Sequence, residues 1–472
     1  MKNIYITTAI PYVNGIPHIG HAMDYCLADT AARYYKMLGK MVRFQAGTDE
    51  HGNKIFLKAK ELGEPVQDYV DKNAARFQEF IKKLGVEYTD FVRTTDADHE
   101  RRCQEIWKKL EDHIYKAKYE GWYCTGCERF VPEKECAETD GICPDHQKPY
   151  EKLSEENYYF RISDFKDQIK KAIENDELLI LPEFRKKEIL KLLEDSPDVS
   201  ISRPKSQLTW GVSVPDDDNQ VMYVWIDALA NYLTILGYPE KDVSEWWPAT
   251  AQVVGKDILR FHAIIWPAML LGLGLDLPER ILSHGMVLSN GQKMSKSIGN
   301  VVDPIEVLDK HSLTAFRYFF LRHIDTFADS DFTWEKFENA YNNELANDLG
   351  NLVQRLATLA QKNNIEIKDA PKLELPKEYY DLMDKFEFSK AFDFVWEKIQ
   401  GINAKIDEEK PWTLAKNGET EKLQNCMTGL ILELLAVNEM LSPFLPEATE
   451  KIKAIFTDPI VPPEEPLFPK AK

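Results

Sequence analysis

Two hydrophobic periodicities divide the chain. From the N-terminus to about residue 115, short apolar runs alternate with stretches in which apolar residues recur every three or four positions. Ile4–Ile10 is strand-like, Met23–Leu38 has a helical pattern, and Met41–Ala46 is a second strand-like run. Helical patterns follow near Ile55–Leu62 and Val66–Leu84. Strands that alternate with helices in this way predict a parallel sheet with helices on both faces.

The pattern changes between residues 116 and 220. This segment contains a strand-like run at Asn157–Ile162, a basic helical pattern at Phe184–Leu193 and an expected β-return at Leu208–Val214. It reads as an insertion between two halves of the sheet. The sheet is expected to resume at Met222–Asp227 and to continue through Gln252–Asp257, before a further helix.

Beyond residue 340 the pattern is helical throughout. Apolar residues recur at alternating spacings of four and three in three stripes, and the short connections between them predict an antiparallel bundle. The stripes are Leu345, Leu349, Leu352, Leu356 and Leu359; Phe392, Val395, Ile399, Ile402 and Ile406; and Leu430, Leu434, Val437 and Leu441.

The predicted fold class is therefore α/β followed by all-α. A Rossmann-like parallel-sheet domain is interrupted by an insertion, and an antiparallel helix bundle follows it. The expected domain bounds are 1–115 and 221–282 for the two halves of the sheet domain, 116–220 for the insertion, 283–340 for a connecting region and 341–472 for the bundle.

Composition excludes several classes of protein. The chain has 472 residues, 44% of them hydrophobic, and no apolar run of the length that a membrane span needs. Its formal net charge of −19 argues against nonspecific coating of nucleic acid but not against a structured RNA held at local basic patches. The N-terminus enters a strand directly, which leaves no room for a signal or transit peptide, so a cytoplasmic location is expected.

Four potential metal ligands lie in two close pairs. Cys124-x-x-Cys127 is followed, after 15 residues, by Cys143-x-x-His146. Thiolates and imidazoles in such pairs are typical of tetrahedral zinc, whereas the alternative is a set of scattered free thiols. Because all four positions are filled by protein, the predicted site is a closed structural knuckle at about 120–150. Cys136 lies between the pairs and is not expected to be a ligand.

A histidine pair follows the first predicted strand, in the stretch Pro17-His18-Ile19-Gly20-His21. It lies at the start of a helix, where unpaired N–H groups and the helix dipole favour anions. Gly20 has no side chain, so a flat base could lie against its backbone. In isolation, such a pair more often marks a capped helix start or two packing histidines.

A lysine-rich loop far downstream changes that interpretation. The stretch Lys293-Met294-Ser295-Lys296-Ser297 follows a predicted turn at Ser289-Asn290-Gly291. When pyrophosphate leaves the α-phosphate of ATP, cations must meet the developing charge, and a loop of this kind could move in for that step. Alone the loop would be a solvated turn, but together the two stretches indicate ATP-dependent adenylation.

These stretches resemble the two signatures of class I aminoacyl-tRNA synthetases. Further runs, spread over nearly the whole chain, resemble the methionyl-tRNA synthetase family. They are Thr8–Gly15, Gly47–Gly52, Tyr223–Ala228, Gly255–Asp257, Phe261-His262 and Trp266–Met269, together with the single zinc knuckle. The resemblance implies activation of L-methionine by ATP and its transfer to the 3′ end of tRNA(Met), with release of AMP and pyrophosphate.

The resemblance also implies roles for individual residues. ATP, with Mg²⁺, would be held by His18, Gly20, His21, Asp24, Lys256, Asp257, Lys293 and Lys296. Asp49 would bind the substrate ammonium, and the thioether would lie among Ile10, Tyr12, Trp225, Ala228, Tyr232, Ile258, His262 and Trp266. Sulfur against aromatic rings is favourable, although each aromatic, Trp266 above all, could equally belong to the core. Leu229 stands where the family often has Pro. The resemblance therefore does not imply the backbone conformation at this position.

The resemblance implies that the region 283–340 carries the lysine loop and contacts the tRNA stem. The helical part resembles the anticodon-binding bundle of the same family. Asn351 and Arg355 flank the leucine stripe, and Trp412 resembles a base-stacking tryptophan. Amide and guanidinium hydrogen bonds together with stacking are how loop bases of RNA are recognised. The alternative for Trp412 is a buried residue at a helix end. The chain ends without the family's frequent C-terminal dimerising module, so a monomer is expected.

Three other functions compete with this interpretation. A cysteinyl-tRNA synthetase is compact and zinc-dependent, but its ligands are spread through the catalytic fold. A non-catalytic zinc-knuckle RNA-binding protein would not need both signatures. A nucleotidyltransferase that makes small adenylated cofactors would not need the bundle. The insertion of about 100 residues is too small for an editing domain, so amino-acid discrimination is expected in the first pocket.

Overall fold

The computed structural model describes residues 3–124, 129–144, 147–294, 300–367 and 374–469. Six parallel strands form its central sheet: β1 Ile4–Thr8, β2 Val42–Thr48, β3 Asp90–Arg93, β7 Leu179–Leu181, β11 Ala251–Gly255 and β12 Arg280–His284. Their order is β3-β2-β1-β11-β12-β7, and each adjacent pair runs parallel. The predicted parallel sheet is confirmed.

The first helices of the chain are α1 Ile19–Met37, α2 Asn53–Leu62, α3 Val66–Lys83 and α4 Ala97–Lys109. Helix α1 begins four residues before the predicted Met23 because His18 caps it. Nδ1 of His18 accepts a hydrogen bond from the Gly20 N–H at 3.2 Å, and the His18 N–H donates to Nδ1 of His21 at 3.1 Å. The two helices predicted near Ile55–Leu62 and Val66–Leu84 are confirmed.

The middle of the chain builds a second, antiparallel sheet. Its strands are β4 Ile114–Cys124, β5 Arg129–Val131, β6 Glu151–Phe160 and β8 Val199–Ser200, in the order β5-β4-β6-β8. The other elements here are α5 Glu133–Glu138, α6 Lys166–Glu174, α7 Glu183–Asp195, β9 Ser202–Pro204 and the 3₁₀ turns Glu111–His113 and Ile162–Asp164. Strand β7 lies within this segment but joins the central sheet. The sequence did not predict it, because a run of three residues is too short to give a strand pattern.

Two expectations for the following segment are wrong. Leu208–Val214, the expected β-return, forms no strand and makes only one bridge, from Ser213 to Val221. Met222–Asp227, expected as a central strand, is mostly helical. Strand β10 is Gln220–Met222, which pairs antiparallel with β9, and α8 is Val224–Thr234. A short apolar run is compatible with either a buried strand or a buried helix, and here it is a helix.

The chain then returns to the central sheet and leaves it through a hairpin. The elements are a π-helical turn Phe261–Ile265, α9 Trp266–Gly272, β13 Val287–Ser289, β14 Gln292–Lys293, α10 Pro304–Lys310, α11 Leu313–Arg322 and β15 Ser330–Phe332. The strand-like pattern of His284–Leu288 is divided between the end of β12 and the start of β13. Asn290 and Gly291 connect β13 to β14 with φ values of 51° and 73°, as the predicted turn requires.

Helices form the rest of the described chain. They are α12 Trp334–Ala340, a π-helical stretch Tyr341–Gly350, α13 Asn351–Lys362, α14 Lys377–Asp384, α15 Phe388–Glu409, α16 Pro411–Asn417, α17 Thr420–Leu441 and α18 Pro446–Ile455. The three apolar stripes face the core, with only Leu359 half-buried, so the helical region is confirmed. Within the ranges given above, no helix is both long and apolar enough to span a bilayer.

A buried ion pair joins α1 to the helical region. Nη1 of Arg317, on α11, lies 2.8 Å from Oδ2 of Asp29 on α1, and that oxygen also accepts from Nε of Arg33 at 2.7 Å. Arg317 donates to the carbonyl oxygens of Phe444 (2.7 Å) and Pro443 (3.2 Å), between α17 and α18. Every charge in this group therefore meets a partner, which a buried charge requires.

We expect Arg317→Ala to destabilise the protein by about 3–5 kcal/mol, because it leaves the Asp29 carboxylate with one buried partner fewer and opens the contact with the α17–α18 connection. Urea unfolding followed by circular dichroism measures the loss. Lys310→Ala, at an exposed lysine of α10, is the control and should change the midpoint little. Equal midpoints for the two variants would contradict the role assigned to Arg317.

Candidate active site

A cavity of about 370 Å³ opens at the carboxyl edge of the central sheet. It lies between the neighbouring strands β1 and β11. From β1 the sheet continues to β2 in one direction, and from β11 it continues to β12 in the opposite direction. Ligands of open α/β sheets bind at such reversals of strand order. The predicted residues that line it are Ile10, Tyr12, His18, Gly20, His21, Asp24, Asp49, Trp225, Ala228, Tyr232, Lys256, Asp257, Ile258, His262 and Lys293.

Two predicted residues are not on the described wall. Trp266 is fully buried behind Tyr232, with ring centroids 5.7 Å apart, and so supports the cavity from the core. Lys296 lies outside the described residues. The sequence analysis missed His284 and Met286, which line the cavity as well. The apolar run that ends at His284 was the available signal, because carboxyl ends of parallel strands carry ligand contacts.

The start of α1 forms one side of the cavity. The rings of His18 and His21 stack with centroids 3.7 Å apart and an interplanar angle of 19°. A Cβ on Gly20 would stand 3.0 Å from Cε1 of His18, so a side chain there would crowd the imidazole. Burial, helped by His18, holds the pKa of His21 well below its usual range. Because its Nδ1 accepts a hydrogen bond, neutral His21 carries its proton on Nε2.

A second imidazole, that of His284, has the opposite charge state. Its Nε2 lies 2.8 Å from Oδ1 of Asp24, and its Nδ1 lies 2.8 Å from the carbonyl oxygen of Gly285. Burial lowers the pKa of His284, but the Asp24 carboxylate and that carbonyl outweigh it, so the pKa is raised. Since both ring nitrogens face acceptors, the structure favours the imidazolium.

The ammonium group of Lys256 is held by a carboxylate that is not part of the cavity wall. Its Nζ lies 2.7 and 2.5 Å from the two carboxylate oxygens of Asp329, which also accepts from the Met286 N–H at 2.9 Å. Burial would raise the pKa of Asp329, but the Lys256 ammonium lowers it on balance. The ammonium group therefore stands at the cavity beside the segment that precedes β15. Lys293, on β14 of the hairpin, is a second cation on the wall.

The far end of the cavity is an aromatic slot. The His262 Nδ1–H donates to the carbonyl oxygen of Ile258 at 3.1 Å, so its Nε2 accepts from the Tyr232 hydroxyl at 2.8 Å. Burial lowers the pKa of His262 to about 4, which keeps the ring neutral near pH 7. Trp225 stacks on Phe261 with centroids 3.8 Å apart. The slot is thus apolar and uncharged, with fixed ring orientations.

Asp49 follows β2 at the edge of the slot. Its N–H donates to the carbonyl oxygen of Pro11 at 2.9 Å, and its carbonyl oxygen accepts from the Val13 N–H at 3.1 Å. The next residue, Glu50, is buried and receives two hydrogen bonds of 2.7 Å from the guanidinium of Arg93. The backbone around Asp49 is therefore fixed on both sides, and its carboxyl group is largely buried.

The predicted anticodon residues lie together in the helical region. Nη2 of Arg355 is 2.7 Å from Oδ1 of Asp407, and its guanidinium carbon is 5.8 Å from the ring centre of Trp412. Trp412 is 42% exposed, which differs from the buried alternative. Asn351 and Arg355 line a groove of about 560 Å³. The other groove residues are Asn347, Asp348, Gln354, Gln400 and Asn403.

The predicted zinc ligands are described only in part. Cys124 and Cys143 are buried in a small cluster with Val131, Cys136 and Tyr150, separate from the larger cores. Cys127 and His146 lie outside the described residues. In the part of the chain that the structure covers, no three His, Cys, Asp or Glu side chains come together as a metal site. The zinc knuckle therefore stays a prediction.

Comparison with known proteins agrees with this fold and cavity. The family model of class I tRNA synthetases (M) matches residues 4–152 and 145–357. The methionine–tRNA ligase of Caldanaerobacter subterraneus subsp. tengcongensis is 41% identical over an alignment of 471 positions, which covers 96% of this chain and 73% of that protein. That of Thermotoga maritima is 38% identical over an alignment of 468 positions, which covers 95% of this chain and 74% of that protein.

A solved structure is similar over the whole chain. Mycobacterium tuberculosis methionyl-tRNA synthetase, in complex with methionyl-adenylate, has a TM-score of 0.91 and 33% identity, and the match covers 99% of this chain and 100% of that one. The fold and site are therefore those of a class I aminoacyl-tRNA synthetase. Within that class the chain belongs to the methionine–tRNA ligases. It catalyses ATP-dependent activation of methionine and transfer of the methionyl group to tRNA, so the resemblance is confirmed.

We expect Asp24→Asn to lower the pKa of His284 and to cost stability in a pH-dependent way. The raised pKa means that the stability from this pair is fully present below about pH 6.5, the ordinary histidine value, and is lost as the pH rises through the pKa of folded His284. The difference in urea unfolding free energy between wild type and Asp24→Asn should thus be larger at pH 6 than at pH 10. Asp309→Asn, at an exposed aspartate of α10, is the control. A pH-independent difference for Asp24→Asn would contradict the charge state assigned to His284.

Proposed function

We propose that both steps of the reaction take place in this cavity. In the first, the methionine carboxylate attacks the α-phosphate of ATP, and pyrophosphate leaves. In the second, the 3′-terminal ribose hydroxyl of tRNA(Met) attacks the carbonyl carbon of methionyl-adenylate, and AMP leaves. The supporting observation is that a single cavity has the helix start of His18 and His21 on one side and the aromatic slot on the other.

ATP would lie across the start of α1. The Nε2–H of neutral His21 is a donor for phosphate oxygen, and the bare backbone of Gly20 leaves room for the adenine ring. Asp24 and Asp257 would accept from ribose hydroxyls, while Lys256, oriented by Asp329, would meet a phosphate. Mg²⁺ bound with ATP would neutralise charge on the departing pyrophosphate.

Methionine would lie with its ammonium group at Asp49 and its side chain in the aromatic slot. A largely buried carboxylate favours a cationic amino group, because opposite charges attract more strongly away from water. The unbranched thioether fits between flat rings, and Tyr232 and His262 present a hydrogen-bonded edge to it. No general base is needed for the first step, since the attacking carboxylate is already ionised; positioning and charge stabilisation are sufficient.

Lys293 and Lys296 would stabilise the charge that develops on the phosphates. We expect Lys293→Ala to lower the rate of methionine-dependent pyrophosphate exchange about 10²–10³-fold, because one preorganised cation is lost, with little change in the KM of methionine. Lys310→Ala, at an exposed lysine of α10, is the matched control and should retain the wild-type rate. Wild-type enzyme should show exchange with methionine but not with cysteine or isoleucine. A loss of methionine binding equal to the loss of rate would instead indicate a folding defect.

The groove beside Trp412 would bind the anticodon of tRNA(Met). The exposed indole offers a stacking surface, and the amide of Asn351 and the guanidinium of Arg355 offer hydrogen bonds to base edges. Asp407 holds the Arg355 guanidinium beside the indole before any base arrives. This assigns tRNA selection to the helical segment from residue 341 and leaves the chemistry to segments 1–115 and 221–282 together with the loop that carries Lys293 and Lys296.

We expect Trp412→Ala to reduce kcat/KM for charging of tRNA(Met) by about 1–3 kcal/mol, the usual contribution of one base stacked on an aromatic ring. Pyrophosphate exchange, which needs no tRNA, should be unchanged. Val461→Ala, another exposed apolar position in the same helical region, is the control. If Trp412→Ala charges tRNA(Met) like the wild type, the indole has no part in recognition.

A zinc ion would be held by Cys124, Cys127, Cys143 and His146 in the insertion 116–220. The donors fit this metal, because two of them are already buried thiols within a cluster too small to be a core of its own. The chain around Cys143 turns tightly: its N–H donates to the Lys148 carbonyl oxygen at 2.8 Å. The ion's contribution would be to hold this small unit together, away from the reacting atoms.

A further inference from the structure

An ion pair that the mechanism above does not use is buried beside the aromatic slot. Nδ1 of His51 lies 2.8 Å from Oδ2 of Asp227, and neither residue is more than 2% exposed. Nε2 of His51 lies 3.4 Å from Oε1 of Glu100 on α4. Asp227 belongs to α8, whereas His51 follows β2, so the pair joins two separate elements.

The imidazole in this pair is cationic. Burial alone would lower the pKa of His51, but the carboxylates of Asp227 and Glu100 outweigh it and raise the pKa to about 10. Two other titratable groups face the pair from α4. Burial lowers the pKa of His99 to about 3 and raises that of Cys103, so both are neutral at pH 7. Burial raises the pKa of Asp227, although the neighbouring His51 imidazolium opposes this effect. The raised pKa of His51 keeps its imidazole protonated at pH 7.

A second contact, one helical turn further along α8, joins the helix to β2 itself. Nε2 of Gln45, on β2, donates to Oδ1 of Asn231 at 2.9 Å, and both residues are fully buried. Asp227 and Asn231 are four residues apart and thus lie on one face of α8. Two contacts at this spacing determine the rotation of the helix about its axis as well as its distance from β2.

The two elements joined in this way carry the two halves of the methionine site. Helix α8 contributes Trp225, Ala228 and Tyr232 to the slot, and Asp49 precedes His51 by two residues in the segment after β2. We propose that the His51–Asp227 ion pair is a positioning pair that sets the distance between the ammonium-binding carboxylate and the slot. The proposal rests on the assignment of Asp49 to the substrate ammonium.

The pair's contribution is geometric more than energetic. A buried ion pair adds little net stability compared with two packed apolar side chains, but a short charged hydrogen bond permits only one arrangement of its partners. Oδ1 of Asp227 has no hydrogen-bond partner among the residues that the structure describes. The Asp227 carboxylate is therefore positioned by its contact with His51.

Loss of the pair should affect the amino end of methionine selectively. We expect His51→Asn to raise the KM of methionine in pyrophosphate exchange about 10–100-fold, because a displacement near 1 Å has effects of this order. The KM of ATP should change little. Inhibition by 4-(methylthio)butanoate, which is methionine without its amino group, should also change little, since this probe does not use Asp49. Asp227→Asn keeps a hydrogen-bonding partner for His51 and should give a smaller increase.

His99→Asn is the matched control. His99 is as buried as His51 and also contacts α8, through a 2.7 Å hydrogen bond to Thr234, but it does not lie in the segment that carries Asp49. Its KM for methionine should be that of the wild type. Equal increases for His51→Asn and His99→Asn, or equal weakening of methionine and 4-(methylthio)butanoate by His51→Asn, would overturn the proposal.

Two further outcomes distinguish the positioning role of the His51–Asp227 pair from the assignment of Asp49 to the substrate ammonium. If Asp49→Asn leaves the KM of methionine unchanged, the ammonium assignment is wrong, and the positioning role is wrong with it. If Asp49→Asn raises that KM but His51→Asn does not, only the positioning role is wrong. Should His51→Asn fail to fold, Asp227→Asn decides: a selective increase in the methionine KM supports the proposal, and an unchanged KM contradicts it.

Discussion

The reversal of strand order between β1 and β11 is the constraint on which the site depends. The two strands are neighbours, but the sheet continues from them in opposite directions, so a crevice opens at their carboxyl ends. Segments that follow both strands meet there: the start of α1 after β1, and Lys256 with Asp257 after β11. The residues that we propose bind ATP and methionine are thus brought to one cavity by the topology of the sheet.

The buried histidines at and beside this cavity differ in charge. Burial is the main influence on the pKa of His21 and of His262, and it lowers both, so these imidazoles stay neutral and serve as donors or acceptors. His51 and His284 are buried to a similar degree but face carboxylates, so they carry positive charge. The same side chain therefore has two electrostatic roles, and the choice depends on whether Asp24 or Asp227 lies within hydrogen-bonding distance.

The contact between α1 and the helical region also depends on a buried charge that needs a partner. Arg317 has no exposed surface, so its charge must be met by Asp29 on α1 and by carbonyl oxygens next to α18. Helix α1 begins at the cavity and carries Asp29 near its middle. The helix that presents His18 and His21 is thereby fixed to the region that we propose binds the anticodon.

The sequence by itself determined the parallel sheet, the helical region and most of the cavity wall, because these depend on periodicity and on motifs of adjacent residues. Local pattern could not decide that Met222–Asp227 turns into a helix or that β7 joins the central sheet, since a short apolar run suits either buried state. Local pattern also could not predict the contacts of His284 and Asp329 or the His51–Asp227 pair. Their partners are distant in the chain, and only the order of the strands brings them within hydrogen-bonding distance.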